Sequence, residues 1–138
     1  MGHQWFWSYE YADFLNLNVD SYVDPYTIPN FRLLDVDNRL NLPVNIKIRL
    51  ILSSYDVLHA WTLPSAAIKI DAVPGRLNQF SIYFYKQGLF FGECSEICGI
   101  NHRFIPITIE ILKNTSFINW IKNNILLSGW KSIGLLNQ

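Results

Sequence analysis

The sequence predicts an all-β domain, a Greek-key barrel or sandwich, that ends in one helix. Several short runs alternate apolar and polar residues, turn-forming residues separate these runs, and a single segment has a helical period. The chain is 138 residues long and 50% hydrophobic, which suits one domain with a buried core. The same composition excludes a disordered chain.

Four runs show the period of two that a half-buried strand produces. They are residues 14–23, 45–51, 76–85 and 105–112. In the third run the apolar face is Phe80, Ile82 and Phe84. In the last run Thr108 and Glu110 lie on one face, and the other face is Ile105, Ile107, Ile109 and Ile111. Turn signals rich in Pro, Gly, Asn and Asp lie between the runs.

The one predicted helix spans residues 116–127. Asn114 or Thr115 is the expected cap and Gly129 the expected stop. The apolar stripe is Phe117, Ile118, Ile121 and Ile125. This helix follows the last strand, and we expect it to pack on the end of the barrel.

The charged residues balance, with 11 Lys and Arg against 11 Asp and Glu. Nucleic acid is therefore not an expected partner, because binding it requires a basic excess. Residues 1–71 carry eight acids and five bases, whereas residues 72–138 carry three acids and six bases. The first half is expected to offer an acidic face to a basic partner. No apolar run reaches the roughly 18 residues that a membrane span needs.

Two thiols and an imidazole fall close together, just before the last predicted strand. They are Cys94, Cys98 and His102. Thiolate sulfur and imidazole select copper or zinc over calcium or magnesium. The Cys-x3-Cys-x3-His spacing differs from that of the usual zinc knuckle. Spacing alone leaves three interpretations open: inert or disulfide-bonded cysteines, a structural zinc, and copper.

A further ligand would come from elsewhere in the chain, and a histidine is expected. The remaining histidines are His3 and His59. His59 directly follows the second predicted strand, and a sandwich would bring the end of that strand beside the loop at residues 92–106. We therefore expect His59 to be the distant ligand.

Four separated motifs resemble, in the same order, subunit II of cytochrome c oxidase in its peripheral copper domain. The motifs are GHQW at 2–5, DVLH at 56–59, KIDAVPGRLNQ at 69–79 and CSEICGINH at 94–102. The match covers residues 2–122, and we take residues 1–122 as the domain. Residues 123–138 form a C-terminal extension with no assigned role.

The resemblance implies a cupredoxin-like Greek-key barrel that holds a dinuclear copper centre (CuA). Cys94 and Cys98 would bridge the two ions, while His59 and His102 would each bind one of them. Glu96 would give its backbone carbonyl to copper and its side chain to a nearby magnesium. The implied function is electron transfer within a respiratory oxidase whose oxygen chemistry lies in another subunit. The alternative is a copper-binding or structural β domain that keeps the fold without turnover.

The sequence departs from the family pattern at position 105. Family members have a Met ligand three residues after the second histidine, and Ile105 stands there. An isoleucine cannot ligate a metal, and its alternation with Ile107 and Ile109 is typical of a strand. A Met codon translated with the wrong genetic code is the other interpretation. Copper binding is expected to persist with an altered potential.

Three other groups take roles from the resemblance. Trp5 would be the surface residue that receives electrons from cytochrome c, although residues 5–11 alone predict a strand with one buried face. His3 is expected to be structural or to face a partner. Asp71 and Arg76 alone predict a solvated ion pair at a turn, and the resemblance puts their loop against the catalytic subunit.

The implied partners are cytochrome c and a haem-bearing catalytic subunit I within a membrane-anchored complex. The family's transmembrane hairpin ends just before the GHQW motif, so the chain is expected to be a trimmed fragment or a split-gene product whose hairpin lies on a separate chain. The expected location is the intermembrane-space face of the mitochondrial inner membrane. The outer face of a bacterial plasma membrane is the alternative.

Overall fold

The computed structural model describes residues 1–14, 17–24, 26, 34–96 and 105–134, with side chains through residue 127. Over these residues the order of the strands is β1 (Gly2–His3), β2 (Phe6–Tyr11), β3 (Leu17–Ser21), β4 (Leu40–Pro43), β5 (Lys47–Leu52), β6 (His59–Leu63), β7 (Ile68–Ala72), β8 (Asn78–Tyr83), β9 (Gly88–Cys94) and β10 (Pro106–Leu112). The helix α1 (Asn114–Gly134) follows, and one turn of 3-10 helix at Pro64–Ala66 links β6 to β7.

The strands form three sheets. The largest has the order β4-β10-β9-β6-β7, the second is β1-β2-β3, and the third is the pair β5-β8. Strand β10 runs parallel to β4 and antiparallel to β9. The prediction of an all-β fold that ends in one helix is confirmed.

One apolar core joins the three sheets. Its buried members come from β2, β4, β5, β6, β7, β8, β9 and β10 and from adjoining loops: Trp7, Leu40, Leu42, Leu52, Trp61, Leu63, Ala72, Ile82, Phe84, Cys94, Ile105, Ile107, Ile109 and Ile111. Burial of each large aliphatic side chain stabilises the fold by about 1.5–3 kcal/mol. Cys94 belongs to this core, so the predicted metal ligand lies in a closely packed part of the fold.

Strand β10 is covered on both faces. The four isoleucines predicted for its apolar face are all buried. Thr108, on the opposite face, is fully buried as well, and its hydroxyl donates a hydrogen bond to the Leu34 carbonyl at 2.7 Å. Alternation alone predicted one covered face, but the segment at Leu34 lies against Thr108 on the second face.

Strand β8 follows its predicted pattern in part. Ile82 and Phe84 are buried, whereas Phe80 keeps 39% of its surface exposed. Phe80 pairs with Leu50 of β5 in a sheet of two strands. This residue of the predicted apolar face is therefore only partly covered.

The helix docks through its first three turns. Phe117 and Ile121 pack with Leu17 of β3 in a second cluster that also contains Tyr11 and Trp120. The prediction of a helix after the last strand is confirmed.

Both predicted ends of the helix were wrong. The helix begins at Asn114, with Lys113 before it accepting the Phe117 N–H at 2.9 Å, so neither Asn114 nor Thr115 precedes the helix as its cap. It continues through Gly129 to Gly134. A glycine costs a helix only about 1 kcal/mol and stops it when the backbone turns left-handed, so a glycine alone does not set an end.

The boundary expected at residue 122 falls inside this continuous helix. Among the described residues, no helix is both long and apolar enough to cross a membrane.

Candidate metal centre

His59 is the first residue of β6, and its side chain is completely buried. The edge of the Trp7 ring packs against the imidazole, with ring centroids 5.9 Å apart. Strand β6 lies between β9 and β7, so the imidazole is fixed by an interior strand of the five-stranded sheet. His59 follows β5, as the sequence predicted, and it also opens the next strand.

The two ring nitrogens of His59 face different groups. Nε2 lies 2.9 Å from Oδ1 of Asp56, and Nδ1 lies 3.8 Å from Sγ of Cys94. A carboxylate hydrogen-bonded to one ring nitrogen fixes the proton there and leaves the other nitrogen as a metal ligand. Nδ1 is therefore the nitrogen that can bind a metal, on the side of the thiol.

Asp56 is held in place by backbone donors. Its Oδ2 accepts the Gln4 N–H at 2.7 Å, and its Oδ1 accepts the Val57 N–H at 2.6 Å. Burial raises the pKa of Asp56, but these bonds and the one with His59 lower it by more, so the pKa lies below its ordinary value. The carboxylate is therefore charged at neutral pH. Sequence reasoning quoted Asp56 in a motif but missed this role, for which an Asp three residues before the ligand histidine was the available signal.

The pKa of His59 is raised above its ordinary value. Burial lowers it, and the hydrogen bonds and charge interactions with Cys94 and Asp56 outweigh that effect. The three groups therefore form one electrostatic unit in which positive charge at the imidazole is stabilised.

Cys94 is the last residue of β9 and is 4% exposed. Among the described residues, the groups that face its sulfur include the Nδ1 of His59, the Ala60 N–H at 3.4 Å and the Glu96 carbonyl oxygen at 3.7 Å. A backbone N–H that points at sulfur stabilises the thiolate, which is the form that binds metals.

The spacing of β6 and β9 depends on Gly92. A Cβ on Gly92 would lie 2.0 Å from the Thr62 carbonyl oxygen. Two residues further on, Cys94 pairs with Trp61 across the same two strands. The missing side chain thus lets the strand that carries the thiol lie close to the strand that carries His59. Sequence reasoning did not single out Gly92.

The loop that holds the other predicted ligands is tied at its two ends. The Cys94 N–H donates to the Ile105 carbonyl at 3.1 Å, and the Ser95 N–H donates to the Ala60 carbonyl at 3.1 Å. Cys98 and His102 lie outside the described residues, so their roles stay predictions.

Ile105 is 1% exposed and belongs to the same core cluster as Cys94. It therefore places an apolar side chain within the core that carries the thiol.

The donor set fits a soft metal. Two donors about 2.0 and 2.3 Å from one tetrahedral ion lie about 3.5 Å apart, close to the separation between Nδ1 and Sγ. The observed separation is 3.8 Å. Within the described ranges no group of three or more His, Cys, Asp or Glu side chains forms a complete metal site. Nitrogen and sulfur donors suit copper or zinc rather than magnesium.

Trp5 lies in the turn between β1 and β2 and is 38% exposed. Strand β2 starts at Phe6, with Trp7 buried, which confirms the predicted strand with a buried face. Gln4, whose N–H binds Asp56, directly precedes Trp5, so the exposed indole belongs to the residue next to the hydrogen bonds that support His59.

His3 belongs to an aromatic stack. Its ring stacks on Phe6 at 4.4 Å and on Tyr55 at 5.3 Å, and its Nε2 lies 2.9 Å from the Ser8 hydroxyl. The expectation of a structural or partner-facing role remains a prediction.

The predicted ion pair between Asp71 and Arg76 was wrong. Both residues lie in the described part of the chain, and no ion pair joins them. Asp71 belongs to β7, where its carbonyl accepts a hydrogen bond from the Asn78 side chain at 2.6 Å. The turn that follows depends on Gly75, whose φ of 73° favours glycine.

The sequence model of the family described as "Cytochrome C oxidase subunit II, periplasmic domain" matches residues 1–112. The chain belongs to this family. The matched segment ends just before α1, so it contains the whole candidate site of this subunit II periplasmic domain.

Individual relatives agree. Cytochrome c oxidase subunit 2 of Ctenocephalides felis is 57% identical over 127 residues, which is 90% of this chain and 56% of that protein. The chain spans about half the length of the curated relatives it matches.

Two solved structures share the fold. The periplasmic domain of subunit II of cytochrome oxidase from Bradyrhizobium japonicum has a TM-score of 0.85 and 43% identity over 89% of this chain and 88% of that one. A mixed disulfide between a thioredoxin-like protein and subunit II of cytochrome c oxidase has a TM-score of 0.76 and 42% identity, covering 88% of this chain and 84% of that one. The predicted cupredoxin-like fold class is confirmed.

Proposed function

We propose that this domain transfers electrons in a respiratory terminal oxidase, from cytochrome c through a dinuclear copper centre to haem in the catalytic subunit. One observation carries the proposal: a buried imidazole nitrogen and a buried thiol face each other at 3.8 Å in a member of the subunit II family. The alternative, a copper-binding or structural β domain without turnover, has no need of an exposed tryptophan at position 5.

We infer that Nδ1 of His59, Sγ of Cys94 and the Glu96 carbonyl would hold copper, together with Cys98 and His102. Copper, when bound, supplies a one-electron redox couple. The family match supports this choice of metal, because the described donors alone suit zinc equally well.

The chain's own residues prepare the site in two ways. Asp56 holds the imidazole through Nε2, so that Nδ1 keeps its direction toward the thiol. The packing around β6 and β9 excludes water from the site, because His59 is completely buried and Cys94 almost completely buried. A rigid, dry site limits the rearrangement that accompanies a change of charge.

We infer that cytochrome c docks around Trp5. Phe6, the next residue, stacks on Tyr22 at 4.4 Å, and Tyr22 is exposed, so another exposed aromatic residue lies beside the residue that follows Trp5. Exposed acids adjoin it: Asp56 through the Gln4 N–H, and Asp37 through the Tyr22 N–H at 2.8 Å. An apolar surface with an acidic rim suits a basic redox partner.

The remaining partners follow from the family. We infer contact with a haem-bearing subunit I through the loop at residues 71–76 and with the family's transmembrane hairpin, on the same or a separate chain. The high identity to an insect subunit 2 supports the intermembrane-space face of the mitochondrial inner membrane.

Magnesium stays a prediction for the Glu96 side chain. Glu96 is partly buried at the end of the described 34–96 segment. Magnesium requires several oxygen ligands, which the catalytic subunit would have to supply.

Reduced cysteines are needed before any metal binds. A thioredoxin-like protein forms a mixed disulfide with a bacterial relative. We infer that a partner of this class reduces Cys94 and Cys98 when they are oxidised.

The first test replaces the thiol. Cys94→Ser should abolish the thiolate-copper absorption of the copper-loaded chain and its electron uptake from reduced cytochrome c. Ser95→Ala is the matched control, because it changes the adjacent exposed residue and should leave both unchanged. Full electron uptake by Cys94→Ser would refute the proposed ligand.

The second test concerns docking. Trp5→Leu should slow electron uptake several-fold without changing the copper absorption. Tyr85→Leu is the control, because it removes an aromatic residue that is 79% exposed beside a different sheet. Equal rates for Trp5→Leu and the parent would remove the indole from the route. A parent that holds copper but takes up no electrons would favour the alternative function.

A further inference from the structure

The backbone of Gly2 lies directly against the imidazole of His59. A Cβ added at Gly2 would lie 2.8 Å from Cδ2 and 3.0 Å from Cγ of that ring, and 3.1 Å from Cζ3 of Trp7. Real side-chain contacts essentially never fall below 3.0 Å. The ring therefore occupies the space that any other residue at position 2 would fill.

The backbone of Gly2 is fixed on both sides. Its N–H donates to the Ser53 carbonyl at 2.9 Å, and its carbonyl accepts the Tyr55 N–H at 2.9 Å. It also pairs with Trp7 across β1 and β2. Strand β1 consequently cannot withdraw from the imidazole without losing this pairing.

Trp7 is equally unable to yield, because it is 1% exposed within the main core. The imidazole is the remaining neighbour, and it turns about its own side-chain bonds. A turn would move Nδ1 relative to the Cys94 sulfur, now 3.8 Å away, and Nε2 relative to Asp56.

The same short segment also supports the other side of the ring. The Gln4 N–H holds Oδ2 of Asp56, and Oδ1 of that carboxylate holds Nε2. Residues 2–4 therefore contact the imidazole at its carbon edge and, through Asp56, at its nitrogen.

We propose that Gly2 is a positioning residue for the metal ligand His59. The absent side chain at position 2 lets the imidazole lie against β1 with Nδ1 toward Cys94. This inference rests on the proposed function, because it assigns to Gly2 the geometry of a proposed copper ligand. It adds a residue that does not itself bind the metal.

The test compares Gly2→Ala with Gly75→Ala in the full 138-residue chain. Gly75 has a φ of 73° and no atom within 4 Å of an added Cβ, so its substitution strains the backbone without contacting His59. Two readouts are needed: the ring nitrogen and carbon NMR signals of His59 in the metal-free chain, and copper binding with its electron spin resonance spectrum.

Gly2→Ala should shift the His59 ring signals, weaken copper binding by about 10- to 100-fold, the range for outer-shell partners, and change the copper spectrum. Gly75→Ala should lower the thermal midpoint and leave the ring signals and the spectrum as in the parent. Parent-like signals and spectrum in Gly2→Ala, or equal changes in both variants, would overturn the proposal.

Two further outcomes of this experiment are interpreted separately. If Gly2→Ala fails to fold, deletion of residues 1–3 replaces it: altered His59 signals support the proposal and unaltered signals overturn it. If the parent binds no copper, the proposed function fails, while the NMR comparison still decides whether Gly2 positions the ring.

Discussion

Gly92 links the stability of the sheet to the geometry of the candidate site. Its missing side chain faces the Thr62 carbonyl oxygen, and an added Cβ would lie 2.0 Å from that oxygen, whereas ordinary contact begins at 3.4 Å. The obstacle is backbone in an interior strand, so it cannot rotate away. Gly92→Ala must therefore separate β6 from β9 by over an ångström or bend one of them.

Overpacking of a core typically costs about 1–3 kcal/mol, and we expect Gly92→Ala to lie at the upper end, about 3 kcal/mol. The separation should also disturb the pairing of Trp61 with Cys94 and widen the distance from the thiol to His59. The variant is therefore expected to lose copper affinity even in the fraction that folds.

Urea unfolding measures the first effect, and copper titration of the folded protein measures the second. Gly88→Ala, on the same strand, is the control: its φ of 144° makes the substitution strained, at about 1–3 kcal/mol, but no atom lies within 4 Å of the added Cβ. It should lose stability and keep its copper affinity. Parent-like stability and copper affinity in Gly92→Ala would refute the close-approach argument.

Three further predictions address charge, the site and the core. The hydrogen bond from Arg39 holds the pKa of Asp35 below its ordinary value. The pair therefore contributes about 1 kcal/mol to stability above the unfolded pKa of about 3.9, and this contribution is lost as the pH falls through the folded pKa. Asp35→Asn should remove this part of the acid dependence of stability in urea titrations. Ile105→Met should keep copper bound and lower the reduction potential measured by voltammetry. The reason is that the apolar Ile105 side chain disfavours the more highly charged oxidised centre, and the substitution removes this effect. A rise in the potential would contradict this prediction. Ile109→Ala, at a fully buried position, should cost about 2–5 kcal/mol in the same unfolding assay.

The strands were predictable because burial on one face leaves a period of two. The runs at residues 45–51, 76–85 and 105–112 each overlap an observed strand. Coverage of the second face was not predictable in the same way. Thr108 is buried where the Leu34 carbonyl of a distant segment lies against it, and a local pattern does not contain contacts between distant segments.

The end of the helix shows a similar limit. Gly129 is a valid stop signal, yet the helix passes through it to Gly134. Whether a glycine turns left-handed is decided by the neighbouring structure, which a local pattern does not contain.

The candidate site could be predicted from the sequence only in part, for the same reason. His59 and Cys94 were predicted from residue chemistry and motif resemblance, and the structure brings their side chains together. The supports were missed. One supporting residue, Asp56, acts through hydrogen bonding, and two others, Gly2 and Gly92, act through close approach of the backbone. Both effects depend on which strands become neighbours.

The most direct test of the central claim is the electron spin resonance spectrum of the copper-loaded chain, with copper and zinc counted in the same sample. We predict two copper ions per chain and hyperfine structure from one unpaired electron shared between two copper nuclei. A spectrum of isolated single copper ions, or stoichiometric zinc from cells supplied with both metals, would contradict it.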